Sequence, residues 1–281
     1  MFFKLLKYDF KNELFQRFRI ITFLTVIIIC AFFDYLSKAN SFIHSGNNVI
    51  DKLGLGDASV YILGGMKEFS LISDKHFLFP VLWMVICLLI AYYTLYYPLR
   101  DLLECGQNIL TSSKSRSLWW LSKLTWVFLS VFVLFVMIYL EIIILCIVSG
   151  TPLDLSLSRS VNVFFNMHGP DLLFPNELIA ETFLLPWLVM AACCTVQLTM
   201  SLYIRPIYSF TIMIAILLAS TYYKSPFLIG NYAMPVRSSR MAVGNIHVRT
   251  GIILSVSLII LSAFIGILKF RRYDIIRREN N

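Results

Sequence analysis

Residues 123–148 read KLTWVFLSVFVLFVMIYLEIIILCIV, and that stretch decides the fold. After Lys123 it carries one charged side chain, Glu141, in a run well beyond the roughly 18 apolar residues that a bilayer-crossing helix needs. At 1.5 Å per residue the run reaches about 39 Å, enough to cross a hydrocarbon core of about 30 Å with a tilt. Comparable apolar runs occupy 20–36, 77–99, 178–203, 207–223 and 250–268. The 281 residues are 58% hydrophobic and 14% charged, where soluble domains usually have close to a quarter charged. A water-soluble core is therefore excluded. An outer-membrane barrel would need many alternating segments of about ten residues, and that pattern is absent. The expectation is a single all-α polytopic membrane domain, residues 1–281, with six transmembrane helices.

The connections fill in the plan. Residues 1–19 place Phe2, Leu5, Leu6, Phe10 and Leu14 at helical spacing, with Lys4, Lys7, Lys11, Arg17 and Arg19 largely between them. This predicts a retained, amphipathic interfacial helix on the cytoplasmic face rather than a cleaved signal. Residues 37–76, polar and carrying Gly54, Gly56, Gly64 and Gly65, read as a loop with room for a short surface helix, and 149–177 as a second outer segment. The stretch 100–122 predicts short helices at the cytoplasmic surface, with Trp119–Trp120 as an interfacial pair. Pro186 predicts a kink, and Arg205–Pro206 a tight turn. In 224–249 the apolar patch 227–236 is broken by Gly230, Asn231 and Pro235.

Placing both termini in the cytoplasm puts 15 Lys and Arg inside and nine outside, as the positive-inside rule asks. Only the last outer segment departs from it, with Lys224, Arg237, Arg240 and Arg249 and no acid. A five-span layout in which 207–223 does not cross would instead expose the basic C-terminal cluster, so six spans are preferred. The net charge of +8 follows the span ends; it implies anionic lipid and no nucleic acid.

Little in the chain points to enzymatic chemistry. No GxxxxGK[ST] phosphate loop occurs, nor HExxH, nor GxSxG. The six cysteines form no CxxC and no cluster with histidine, so they read as packing residues, and no metal site is expected. His44, His76, His168 and His247 all fall in outer segments. Glu141 must face protein, water or a cation, as a gating or substrate-contacting residue or as an interhelical tie. Glu181 and Asp34 read as interfacial. Gln197, with Thr195 and Thr199, either ties helices or lines a path.

Three features together resemble the ABC-2 type permeases, the membrane subunits of exporters whose ATPase is often a separate chain. One is the stretch after the second span, here Glu104, Gly106, Ile109, Leu110, Thr111, Ser112, Ser115, Arg116, Trp120, Ser122 and Lys123. Another is the plan of an amphipathic N-terminal helix plus six spans. The last is the close Lys269-Phe-Arg-Arg-Tyr-Asp274, similar to the family's F-x-[RK]-x-D ending. Gly106 is followed by Gln107 and Asn108 where the family often has Gly-Thr, which leaves docking there individual to this protein. The resemblance implies a permease subunit without an ATPase site, in the cytoplasmic (inner) membrane. Its partners would be an ATP-binding-cassette subunit, which binds the ATP and Mg, and a second permease copy or a homologous permease. Docking would involve Lys7, Lys11, Asp101, Glu104, Gly106, Lys114 and Arg116. The segment before the last span would fold as a re-entrant hairpin, with Arg237 and Arg240 at the mouth of a path that Glu141 and Gln197 also serve. The cargo would be an amphipathic peptide or lipid-like molecule, as in peptide export or antimicrobial-peptide immunity. The alternatives are an integral-membrane enzyme using outer-face residues such as His168, Asp171 or His247, and a non-transporting anchor or sensor subunit.

Overall fold

The computed structural model describes residues 6, 9–10, 17–44, 54–67, 79–96, 116–158, 178–239 and 246–271. Among them every regular element is helical, and the only β contact is an isolated bridge between Ser238 and Ile246. The helices are α1 (Phe18–His44), α2 (Leu55–Leu63), α3 (Val81–Leu95), α4 (Arg116–Ser149), α5 (Leu185–Met200), α6 (Pro206–Tyr222) and α7 (Val248–Arg271). Four stretches are long and apolar enough to cross a membrane: Phe18–Ser41, Ser117–Ser149, Ala180–Met200 and Val248–Phe270. That marks a membrane protein. The remaining apolar helices, α3 and α6, have 15 and 17 residues, about 22 and 26 Å of rise.

The centre of the bundle is α5, which packs against α3, α4, α6 and α7. Its sequence, LPWLVMAACCTVQLTM, is small in the middle, and Val189 to Cys194 are all buried. A π-helical turn, Ala180–Leu184, leads into it, and Pro186 falls within its first two positions. Pro has no N–H to give within this continuous helix, and the wider π turn falls where that intrahelical bond is lost. The predicted kink is thus a π-to-α junction.

The closest partner of α5 is α7. Gly251, Ser255, Ser262 and Gly266 are small residues of α7; Ser255 and Ser262 are buried. Thr199 of α5 donates to the Ser262 carbonyl at 3.2 Å. Small residues let helix backbones approach in lipid, where no hydrophobic effect drives them together. At Gly266 a Cβ would sit 2.2 Å from the Trp120 indole, so the bare backbone there is what seats the tryptophan. The opposite face of α7 exposes Ile253, Ile260, Leu261, Phe264 and Leu268, and the end of α4 exposes Ile144, Ile147 and Val148. Such broad apolar surface suits lipid tails rather than water.

Side-chain contacts fix the directions. Tyr92 lies by Phe210 and Phe79 by Tyr222, so α3 and α6 run antiparallel along their whole length. Gln197 meets Ala91 and Thr182 meets Tyr139. The six apolar helices alternate in direction. The start of α1 and the finish of α7 therefore lie at the same end of the bundle, called here the near end.

The far end departs from the sequence reading. Residues 37–76 were expected as a loop with a surface helix. Instead α1 continues to His44, and α2 is buried, with only Tyr61 partly exposed. The first N–H groups of α2 donate to the backbone of the segment after α4: Leu55 to Pro152 at 3.1 Å and Gly56 to Asp154 at 2.9 Å. A Cβ at Gly56 would meet the Ser156 carbonyl oxygen at 2.6 Å. Gly54 and Gly56, which read as loop markers, make room for this contact.

Candidate functional site

At the near end, a buried ion pair joins the N-terminal segment to the first turns of α4. Lys123 Nζ lies 2.6 Å from Asp9 Oδ1, and each side chain is 1% exposed. The ammonium also sits 5.3 Å over the Trp119 ring. Trp119 and Trp120 both stack on Phe270 of α7, at centroid distances of 4.9 and 5.9 Å. One knot thus holds the N-terminal segment, the start of α4 and the finish of α7. Beside it, the Arg17 guanidinium donates to the carbonyls of Tyr92 and Tyr93 in the last turn of α3, and lies 5.6 Å over the Tyr93 ring. The last carbonyls of a helix have no partner within it, and a cation is favoured there.

Trp119–Trp120 were expected as an interfacial pair. They are buried, because α4 begins at Arg116 and carries them into the contact with α7. Asp9 was not singled out, although it falls at the centre of the stripe formed by Phe2, Leu5, Leu6 and Phe10. An acid on an apolar stripe calls for a buried cation, and that was the available signal.

Of the predicted docking residues, Arg116 opens α4. Lys7, Lys11, Asp101, Glu104, Gly106 and Lys114 lie outside the described residues, as does Arg240 among the path residues.

Arg237, expected at a path mouth, is described and lies inside the protein. It is 1% exposed. Nε donates to the Met66 carbonyl at 2.8 Å, and one terminal nitrogen to Lys67 (3.1 Å) and Thr221 (2.7 Å). The other donates to the Ser220 carbonyl and to Asn231 Oδ1. A guanidinium has five N–H donors, and here five oxygens take them. Arg237 closes the C-terminal end of α6 and pins the chain after α2 against it, so the side chain acts as a staple rather than an anion site.

The staple holds a broken segment between α6 and α7. Ile229–Ala233 and Pro235–Arg237 are two short 3-10 turns, buried throughout. Asn231 Nδ2 donates to the carbonyls of Tyr223 and Ser225, both at 3.0 Å, and the Trp83 indole donates to the Ala233 carbonyl at 2.8 Å. The carbonyls of Tyr223, Ser225 and Ala233 are thus met by protein side chains. Phe227 projects outward, 90% exposed.

Two buried carboxylates complete the far end. Asp57 accepts from the backbone of Gly54 at 2.9 Å and of Ser158 at 2.8 Å. Burial nevertheless holds its carboxyl above the usual range, against the pull of those donors. Glu181, expected at an interface, lies buried in the π turn and accepts from the Ser238 hydroxyl at 2.8 Å.

Gln197 Nε2 donates to the Ala91 carbonyl at 3.1 Å and ties α5 to α3. Glu141 is half-buried on α4, and its Oε1 makes no hydrogen bond among the described residues. The same face of α4, nearer the start, borders a groove with the N-terminal segment, α1 and the finish of α3. The groove is lined by Phe10, Ile21, Tyr93, Trp126, Ser130, Val133, Leu134 and Met137, and encloses about 50 Å³. His247 is exposed beside Ser239, at 3.2 Å; His168 and Asp171 lie outside the described residues. Among the described residues no three His, Cys, Asp or Glu side chains form a metal-holding group.

Comparison with protein-family models, with curated proteins and with solved structures finds no match to this chain.

Proposed function

We propose that the chain is the membrane-spanning permease subunit of an ATP-driven exporter of the ABC-2 kind, six-spanning in the inner membrane with both termini in the cytoplasm. The observation that carries the reading is the buried Asp9–Lys123 pair. It locks the N-terminal segment to the helix that directly follows the coupling stretch 101–116. A force applied by an ATPase to either element would reach α4, and through Trp120 and Phe270 would reach α7. The even, alternating run of apolar helices supports six spans, since α6 keeps pace with α3 along its length. The buried 3-10 turns before α7 support the re-entrant hairpin of such permeases.

In this reading ATP and Mg bind a separate cassette subunit, and a second copy or homologous permease completes the translocation unit. ATP-driven closure of the two ATPases moves the coupling elements and opens a route for an amphipathic, peptide or lipid-like cargo. Charge reversal at Glu104 or Arg116 tests the coupling. Transport should fall while the protein stays in the membrane and the partner still hydrolyses ATP. Undiminished transport would contradict the docking role.

A further inference from the structure

The turn that follows α6 presents aromatic surface outward from a fixed support. Large apolar side chains are exposed along α6 at Ile207, Ile212, Leu218 and Tyr222, and the exposure continues past the helix at Tyr223 (70%) and Phe227 (90%). From 206 to 236 the one charged residue is Lys224, a composition that suits lipid better than water. The turn is pinned from several sides. Leu228 N–H donates to the Ser225 carbonyl at 3.2 Å, and the buried Asn231 side chain holds the Tyr223 and Ser225 carbonyls. Arg237 in turn holds Asn231 Oδ1. The Tyr232 hydroxyl donates to the Pro226 carbonyl at 3.0 Å, and its ring packs on α7, where a Cβ at Gly251 would come within 2.6 Å of it. The fold thus holds the Phe227 ring outward instead of laying it against the protein.

Helix length supplies a reason. With 17 residues, α6 rises about 26 Å, against a hydrocarbon core of about 30 Å. A short apolar helix is accommodated by local thinning of the bilayer or by flanking residues that reach into the interface. Tyrosines at a helix end mark the membrane–water boundary, with their rings at the level of the headgroups. We infer that the turn 223–228 seats the bundle in one face of the bilayer: Phe227 inserts among lipids where headgroups meet acyl chains, with Tyr222 and Tyr223 beside it. A protein partner would call for a polar rim around the apolar centre, and Lys224 is the one charge this turn carries. Because Asn231, Tyr232 and Arg237 tie the turn to the core, the inserted ring fixes the depth of the packed segment behind it. That this face is the outer one rests on the permease reading; the insertion itself rests only on α6 lying in the membrane.

The test uses the full chain with Phe227→Trp, an exchange of one aromatic ring for another at an exposed position, reconstituted in phosphatidylcholine vesicles. The added emission, taken as the difference from wild type, is probed with iodide on both sides of the membrane and with lipids brominated near the top or near the end of their acyl chains. Shallow bromines should quench it, placing the ring about 5–10 Å inside the headgroup boundary, and iodide should not. Quenching by iodide without a response to bromines would put the turn in water and overturn the inference. Protection from both quenchers would mean that protein covers the ring, and a response to deep bromines alone would put it in the acyl core; either would overturn it as well. Shallow insertion by a chain that never associates with an ATPase would uphold the seating and contradict the permease reading alone.

Discussion

Removing one charge of the Asp9–Lys123 pair should loosen the near end of the bundle far more than removing both. At 2.6 Å the two charges attract by about 6 kcal/mol at an effective dielectric near 20. Taking each ion out of water costs several kcal/mol, which offsets most of that attraction. The pair as a whole contributes little, but a lone survivor is expensive. Asp9→Asn leaves the Lys123 ammonium buried over Trp119 without its counter-charge. The expected loss is about 3–5 kcal/mol, and Lys123→Met should cost a similar amount by removing the cation at Asp9. The double variant removes both ions and should recover most of the loss, giving a coupling energy of about 2 kcal/mol or more. The assay is denaturant unfolding in mild detergent, followed by tryptophan fluorescence, for wild type, both single variants and the double. Trp119 packs against the pair and reports on it directly. Single losses within about 0.5 kcal/mol, the range of ordinary surface changes, would refute the reasoning. So would strictly additive losses, because they would mean that the two side chains do not depend on each other.

Three further outcomes are expected. Gly266→Ala should cost about 1–3 kcal/mol in the same unfolding assay through overpacking, and the cost should vanish in a Trp120→Ala background, where the indole that the new methyl meets is gone. Arg237→Lys should lower the midpoint of thermal unfolding by the equivalent of about 2 kcal/mol or more, since an ammonium cannot serve the five oxygens around the guanidinium; an unchanged midpoint would contradict the staple. Asp57 has a raised pKa, so its contribution is full below the unfolded value of about 3.9 and declines as pH rises through the folded one. The melting-temperature gap between wild type and Asp57→Asn should therefore narrow from about pH 4 to about pH 7, and a widening gap would reverse the sign assigned here.

The apolar helices were legible because their signal is local. A run such as 123–148 has one stable form in lipid, and composition alone says so. Boundaries were less legible. The sequence ended the first span near Leu36, but α1 runs on to His44; Lys38 pairs with Asp34 at 2.7 Å, and both bond the Tyr61 hydroxyl of α2, which lets the helix continue past its apolar part. The far end was hidden for a different reason. Gly54 and Gly56 read as loop signals, yet their value is in close approach to a segment about 100 residues away, which no local pattern reveals. Arg237 shows the same limit for a charge. Flanking an apolar patch, it looked like a residue for a path mouth, whereas its partners are backbone carbonyls of two separate segments and the Asn231 side chain. Glu141 was visible as a lone acid in an apolar run, and the structure leaves it half-buried there.

The permease reading is tested most directly by extracting the protein from native membranes in mild detergent, identifying what co-purifies, and measuring ATP turnover by the isolated complex. The reading predicts a stoichiometric ATP-binding-cassette subunit and turnover that responds to Glu104 and Arg116 charge reversal. A chain that purifies alone, from membranes in which candidate ATPases are expressed, would contradict it.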